Sequence, residues 1–151
     1  MPCIYALLTL THKGRLLIGA NKREHKIRLE QITHDITVLD AVIFFREKYK
    51  LKLSDTESER KLHIKDDFGQ RKHQPDFIFT HERKSYAVEV ELTPKSKANF
   101  EKNVQNNYLA YDTQIWLTDD KKVLAMLQNL LFSYSNIEII SLEEISCPHL
   151  K

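Results

Sequence analysis

Residues 75–95 read PDFIFTHERKSYAVEVELTPK, and this stretch decides the fold. Side chains alternate between the two faces of a β-strand, so the apolar residues at 88, 90 and 92 share one face and Glu89 and Glu91 share the other. Two like charges held side by side repel unless a positive group lies between them. A bound divalent cation meets that need, with Asp76 of the preceding strand as a third oxygen ligand. The alternative is a solvated strand face, which alternates in the same way.

Composition indicates one globular domain without a distinctive charge. The chain has 151 residues, and 23 Lys and Arg against 21 Asp and Glu give a net charge of +2, which argues neither for nor against nucleic acid. Cys3 and Cys147 lie at opposite ends, so we expect neither a cysteine-ligated metal site nor a disulfide framework, and we expect a reducing compartment. Residues 3–8 are apolar but too short for a membrane span. The sequence predicts a cytoplasmic protein without a membrane partner and indicates no oligomeric state.

The first half of the chain predicts a hairpin, a helix and two strands. Residues 4–18 have the pattern of a hairpin with a turn at Lys13-Gly14. Asp35–Tyr49 places apolar residues at helical spacing, which predicts a helix. Strands are expected at 76–80 and 85–92, with a turn between them and a short additional strand over Leu62–Lys65.

The second half predicts two further helices and two further strands. Thr93 and Pro94 have the residue types of an N-cap and a first helical position, which predicts a helix running to about Tyr111. A strand at 114–118, a helix opened by Asp119-Asp120 and a strand at 137–140 follow. Phe100, Val104, Tyr108 and Tyr111 are the expected inner face of the first of these helices. The fold class is therefore α/β, with a mixed central sheet flanked by helices.

The acidic residues suit phosphodiester chemistry. Hydrolysis of a phosphodiester is assisted by a cation that polarises the phosphate and acidifies the attacking water. Mg²⁺ takes carboxylate oxygens and waters, and Mn²⁺ accepts the same ligands. Asp76, Glu89 and the backbone carbonyl of Val90 are the candidate ligands. Glu59 is a further candidate, although it also reads as one more charge in a polar stretch.

Pro75-Asp76 followed by Glu89-Val90-Glu91, on two strands between two helices, resembles the PD-(D/E)XK nuclease superfamily. That resemblance implies a restriction-endonuclease-like αβββαβ core over residues 20–151. It also implies a magnesium-dependent deoxyribonuclease whose catalytic residues are Asp76, Glu89, Glu91 and Lys95. Glu91 stands where the superfamily usually has its catalytic lysine. Some members carry Glu there, and others with altered motifs are inactive. Lys95 can replace the missing amine if it turns back to the site; otherwise it is a solvated residue of the first helical turn.

A narrower resemblance covers residues 5–118. The segments at 34–40, 58–60, 74–76 and 88–96 resemble the replication-relaxation family of plasmid and mobile-element proteins, which includes mobilisation proteins. This implies DNA as a partner, with relaxase or replication proteins as further partners. Residues 1–19 resemble the wing of the winged-helix domain that commonly precedes this region. Either the chain is a C-terminal piece of a longer protein, or it belongs to a form that lacks the DNA-reading domain.

A basic segment next to the acidic strand is the candidate DNA contact. Positive side chains on either side of a cleft can hold phosphates, although a charged stretch is more often a solvated face. The candidate residues are Arg60, Lys61, Arg71, Lys72 and Lys97. Two functions follow as hypotheses. One is a metal-dependent endonuclease-like domain that cleaves or nicks DNA. The other is a catalytically inactive accessory that binds DNA or a partner protein in plasmid mobilisation or replication control.

Overall fold

The computed structural model describes residues 29–59, 61–62 and 73–145. The hairpin predicted at 4–18, with its interpretation as a wing, lies outside the described residues. The helices are α1 (Leu29–Tyr49), α2 (Lys97–Ala110), α3 (Lys121–Leu130) and α4 (Leu142–Ile145), and a 3₁₀ turn spans Leu53–Asp55. The strands are β1 (Thr56–Ser58), β2 (Phe77–His81), β3 (Lys84–Val90), β4 (Thr113–Leu117) and β5 (Ile137–Ile140). Within the described ranges, no helix is long and apolar enough to cross a membrane.

The five strands form one mixed sheet in the order β1-β2-β3-β4-β5. The β1–β2 and β2–β3 pairs are antiparallel, whereas β3–β4 and β4–β5 are parallel. Parallel neighbours need a crossover, and α2 and α3 supply the two crossovers. The order from α1 to β4 is helix, three strands, helix, strand, where the sequence predicted a helix, two or three strands, a helix and a strand.

Helices cover both faces of the sheet, so the predicted flanked mixed sheet is confirmed. On one face, Ala41 and Phe45 of α1 pack against Val88 and Val90 of β3. The other face is covered by α2 and α3, whose buried residues surround Trp116 of β4. The predicted alternation in β3 is therefore correct, because its valines face α1 while the side chain of Glu89 reaches Asn107 of α2.

Two local predictions are wrong. The predicted strand over Leu62–Lys65 begins at a residue that is helical, and its residues 63–65 lie outside the described residues. The strand at the sheet edge is β1, paired with β2. The helix predicted to begin at Thr93-Pro94 begins at Lys97 instead, with Ser96 as its N-cap residue. The intervening residues form the turn by which the chain leaves β3, and in that turn the Lys95 ammonium pairs with the buried Glu91 carboxylate at 2.8 Å. A helix that began at Thr93-Pro94 would leave no residues for this turn.

Candidate functional site

Asp76 is fixed at the point where β2 begins and β3 ends. Its Oδ2 accepts a hydrogen bond of 2.7 Å from the backbone N–H of Val90. The last backbone pair at this end of β2 and β3 is Phe77 with Val88. Beyond it, the Asp76 carboxylate takes the place of a backbone carbonyl as the acceptor for the Val90 N–H. This contact places Asp76 beside Val90; the Val90 carbonyl and Glu89, the residue before it, are the other two groups that the sequence singled out as metal ligands.

Glu89 is a buried carboxylate held by two donors. Its side chain is 3 % exposed, and its Oε1 accepts hydrogen bonds from Asn107 Nδ2 at 2.8 Å and from His73 Nε2 at 2.5 Å. Burial raises the pKa of Glu89, and the negative charge of Asp76 raises it further, while His73 and Asn107 lower it. Both bonds use Oε1, so Oε2 is the oxygen that a cation would take.

Glu91 and Lys95 form an ion pair at the end of β3. Glu91 is 4 % exposed, and its backbone N–H continues the sheet by donating to the carbonyl of Leu117 at 3.0 Å. Burial raises the pKa of Glu91, and Lys95 counteracts that effect. The pair with Glu91 in turn raises the pKa of Lys95 despite partial burial, so Lys95 is a cation at neutral pH. Lys95 therefore turns toward the acidic strand and is not simply solvated.

His34, near the start of α1, reaches the same group of residues. Its Nε2 lies 3.2 Å from the carbonyl oxygen of Val90 and 3.5 Å from Asp76 Oδ1. Its Nδ1 lies 3.7 Å from a carboxylate oxygen of Asp35. The interaction with Asp76 raises the pKa of His34 from 6.5 to about 9, more than burial lowers it.

A cavity of about 600 Å³ opens beside these residues. Its walls include the side chains of His34, Glu91, Thr93 and Lys95, with Val90 at the end of β3. The cavity thus joins α1 to the turn after β3 and gives a small charged ligand access to Glu91, while Asp76 and Glu89 are not among the residues that line it. It is large enough for a phosphate group with part of its nucleoside.

The remaining predicted site residues are spread around this centre. Glu59 donates its backbone N–H to the carbonyl of Asp76 at 2.9 Å, but its side chain is exposed. Lys61 is exposed, and Lys97 is exposed with its ammonium 3.8 Å from Glu101. Arg60, Arg71 and Lys72 lie outside the described residues.

Three residues of the site were not predicted from the sequence: His34, His73 and Asn107. Asn107 carried a readable signal, because it follows Phe100 and Val104 at helical spacing on the inner face of α2, where a polar residue needs a partner. Tyr108, which was predicted to lie on that face, is 41 % exposed. The two histidines carried no local signal. His34 is 56 residues from Val90, and His73 is 16 residues from Glu89.

No protein-family model matches the chain, and searches of curated proteins and of solved structures return no match. The superfamily resemblance of the acidic motif therefore remains a resemblance. Function has to be inferred from the geometry of the site.

Replacing Asn107 with Ala should destabilise the protein and weaken the site. The change removes the neutral donor to a buried carboxylate, at a cost of about 1–3 kcal/mol in the free energy of unfolding. A metal ion held by Glu89 would also bind about 10- to 100-fold more weakly, because its ligand would lose an outer hydrogen-bond partner. Urea denaturation and calorimetric titration with Mn²⁺ measure the two effects. Asn106→Ala is the matched control, because the half-buried Asn106 gains the same helix propensity from alanine. Equal effects at both positions would contradict the assigned role.

The stability of the metal-free protein should fall as pH rises from 6.5 to 9. The folded pKa of His34, about 9, lies above its ordinary value of 6.5, so its stabilising contribution is complete below pH 6.5 and is lost by pH 9. Because the ring is partly in water, we expect about 1–2 kcal/mol. Urea denaturation in EDTA measures the slope, and the difference from His34→Gln isolates this residue. Parallel slopes for the two proteins would contradict the assignment.

Proposed function

We propose that this chain is a metal-dependent nuclease-like domain of a plasmid or related mobile element, which cleaves or nicks DNA phosphodiesters. The observation that carries the proposal is the hydrogen bond from the Val90 N–H to Asp76 Oδ2 at 2.7 Å. It holds one carboxylate beside the end of β3, where Glu89 and the Val90 carbonyl supply further oxygens. The αβββαβ order agrees with the restriction-endonuclease-like fold that the sequence resembles.

The donor set fits Mg²⁺ or Mn²⁺. Two carboxylates and a backbone carbonyl are hard oxygen ligands, and such ions complete their coordination with water. Burial raises the pKa of Glu89 and of Glu91, so a cation at this position would offset an unfavourable negative charge. In the described ranges, no three His, Cys, Asp or Glu side chains converge on one point. The Val90 carbonyl is therefore part of the proposed set, and the exposed Glu59 can join only by moving.

The residues of the site have two roles in the proposed reaction: one stabilises negative charge and the other accepts a proton. The bound ion would polarise the phosphate and acidify water. Lys95 is positively charged at the cavity wall and can pair with a phosphate oxygen. Because burial raises the pKa of Glu91, this carboxylate is suited to accept a proton from the water that it orients. Glu91 and Lys95 together would then do the work of the superfamily's usual lysine.

DNA would approach from the open side of the cavity. Lys97 lies at the first turn of α2, next to Lys95, and Lys61 is exposed near the end of β1. Positive side chains at such positions hold phosphates without reading sequence. Arg60, Arg71 and Lys72 complete the proposed set of DNA contacts.

Incubating the purified protein with supercoiled and linear DNA tests the proposal. Mg²⁺, Mn²⁺ and EDTA are compared at equal ionic strength, since salt itself changes DNA affinity. We expect nicked or linear product with either ion and none in EDTA, together with metal binding by calorimetry. A protein that cuts neither DNA and binds neither ion would refute the enzymatic function.

One observation favours the non-catalytic alternative. Each of the three acidic side chains already has a cationic or imidazole partner within the chain: Asp76 with His34, Glu89 with His73, and Glu91 with Lys95. A site balanced in this way can serve as a structural centre for binding DNA or a partner protein. In that case Glu89→Gln should bind DNA as tightly as the wild type, and neither protein should bind a metal ion.

A further inference from the structure

One distance at His34 is long for a hydrogen bond between charged groups. A protonated imidazole normally lies about 2.7–2.9 Å from the carboxylate oxygen that it pairs with. His34 Nε2 instead lies 3.5 Å from Asp76 Oδ1 and 3.2 Å from the Val90 carbonyl oxygen. In the same site, His73 approaches Glu89 to 2.5 Å. His34 therefore lies at hydrogen-bond distance from the Val90 carbonyl oxygen but further from Asp76 than a close charged pair, whereas His73 lies close to Glu89.

The same distances are those between ligands of a single metal ion. With metal–ligand bonds of about 2.1 Å, neighbouring ligands lie about 3.0 Å apart in an octahedron and about 3.4 Å apart in a tetrahedron. The Nε2 atom lies 3.2 Å from the Val90 carbonyl oxygen and 3.5 Å from Asp76 Oδ1, which is close to these spacings. The other ring nitrogen, Nδ1, lies 3.7 Å from a carboxylate oxygen of Asp35. A carboxylate hydrogen-bonded to the second nitrogen is the usual outer support of a metal-bound histidine; Asp35 lies near that position but makes no hydrogen bond to Nδ1.

We propose that His34 Nε2 is itself a metal ligand, together with Asp76 and the Val90 carbonyl, and that it makes the site prefer Mn²⁺ or Co²⁺ over Mg²⁺. This inference rests on the proposed metal-dependent function. Imidazole nitrogen is a good ligand for first-row transition ions, whereas Mg²⁺ takes oxygen ligands almost exclusively. A ligating imidazole is neutral, so the incoming ion displaces the proton on Nε2 and releases it to solvent.

Calorimetric titration of the full chain with Mn²⁺ and with Mg²⁺, at one fixed pH, tests the inference without relying on activity. We expect the wild type to bind Mn²⁺ at least about 10-fold more tightly than Mg²⁺. His34→Ala should lose about 10- to 100-fold in Mn²⁺ affinity and much less in Mg²⁺ affinity. With Co²⁺, the visible absorption of the wild type should change in the variant, because a nitrogen ligand is replaced by water.

Two further variants separate ligation from folding. His34→Gln keeps a side chain of similar length and offers an oxygen, so the preference should move toward Mg²⁺ while the protein stays folded. His81→Ala is the matched control, because His81 has a similar exposed fraction of 30 % and lies at the opposite end of β2. It should change neither affinity.

The outcomes separate this inference from the proposed function. If His34→Ala binds Mn²⁺ as tightly as the wild type, or more tightly, His34 is not a ligand and the inference is overturned, while a metal site at Asp76 and Glu89 survives. If the wild type binds neither ion, the proposed function fails together with the inference. A selective loss of Mn²⁺ affinity in His34→Ala supports both.

Discussion

Replacing Glu89 with Gln is expected to lower metal-dependent DNA cleavage by about 1000-fold or more while leaving the fold intact. A metal ion contributes several kcal/mol of transition-state stabilisation, and each 1.36 kcal/mol corresponds to a factor of ten in rate. Gln retains a carbonyl oxygen that can accept the hydrogen bonds from Asn107 and His73, so the packing around the side chain is preserved. The variant loses the negative charge of the Glu89 carboxylate. Single-turnover cleavage of plasmid DNA with Mg²⁺ or Mn²⁺ measures the effect.

The same variant should be as stable as the wild type in EDTA, or more stable. Burial makes the ionised form of Glu89 unfavourable, which its raised pKa records, and a neutral amide avoids that cost. A stability gain coupled to an activity loss is the usual mark of a functional residue. Glu138→Gln is the control, since Glu138 is an exposed carboxylate on β5. Cleavage at the wild-type rate by Glu89→Gln would rule out a catalytic role for this acidic strand.

Much of the fold could be read from residues 75–95 because strand alternation is a local property. The period of two placed Val88 and Val90 on one face of β3 and Glu89 on the other, and the structure has them there. The next strand and helix were found for similarly local reasons. Asp120, predicted at the start of α3, caps it by accepting hydrogen bonds from the N–H groups of Lys122 and Val123.

Residue type alone misled where a tertiary contact decided the backbone. Thr93-Pro94 has the composition of a helix start, but the helix begins at Lys97. The pairing of Lys95 with the nearly buried Glu91 favours a turn at this point, because a buried carboxylate without a partner costs several kcal/mol. The preference of Thr and Pro for the start of a helix contributes less free energy than this cost.

The partners of the acidic residues could not be predicted, because the sheet brings them together from distant parts of the chain. His34 belongs to α1, His73 precedes β2, and Asn107 belongs to α2. Neither histidine has a spacing to the acidic strand that suggests contact. The chemical character of the site depends on these three residues, since they set the charge balance of Asp76 and Glu89. The sequence therefore predicted the acidic centre but not its surroundings.

Trp116→Ala should have the largest effect on stability, about 3–5 kcal/mol in the free energy of unfolding. Trp116 is fully buried, its ring lies 4.9 Å from that of Phe100, and its Nε1–H donates to Gln114 Oε1 at 3.0 Å. The truncation removes the apolar contact area of α2 with the sheet and leaves the Gln114 oxygen without its donor. At about 2–4 °C per kcal/mol for a domain of this size, the melting temperature should fall by about 6–20 °C. Because the chain has a single Trp, unfolding is followed by circular dichroism.

Phe132→Ala is the matched control, because Phe132 is 99 % exposed and its truncation should change stability by no more than about 0.5 kcal/mol. Similar effects at both positions would mean that Trp116 is not part of the core.

Truncation of Trp116 should also affect the acidic site, since Trp116 is the register partner of Glu89 across β3 and β4. A cavity beside Glu89 lets water approach the carboxylate, and less desolvation means that its pKa moves back toward the ordinary range. NMR titration measures the pKa of Glu89 in Trp116→Ala and in the wild type. The same pKa in both proteins would mean that the packing around Trp116 does not control the pKa of Glu89.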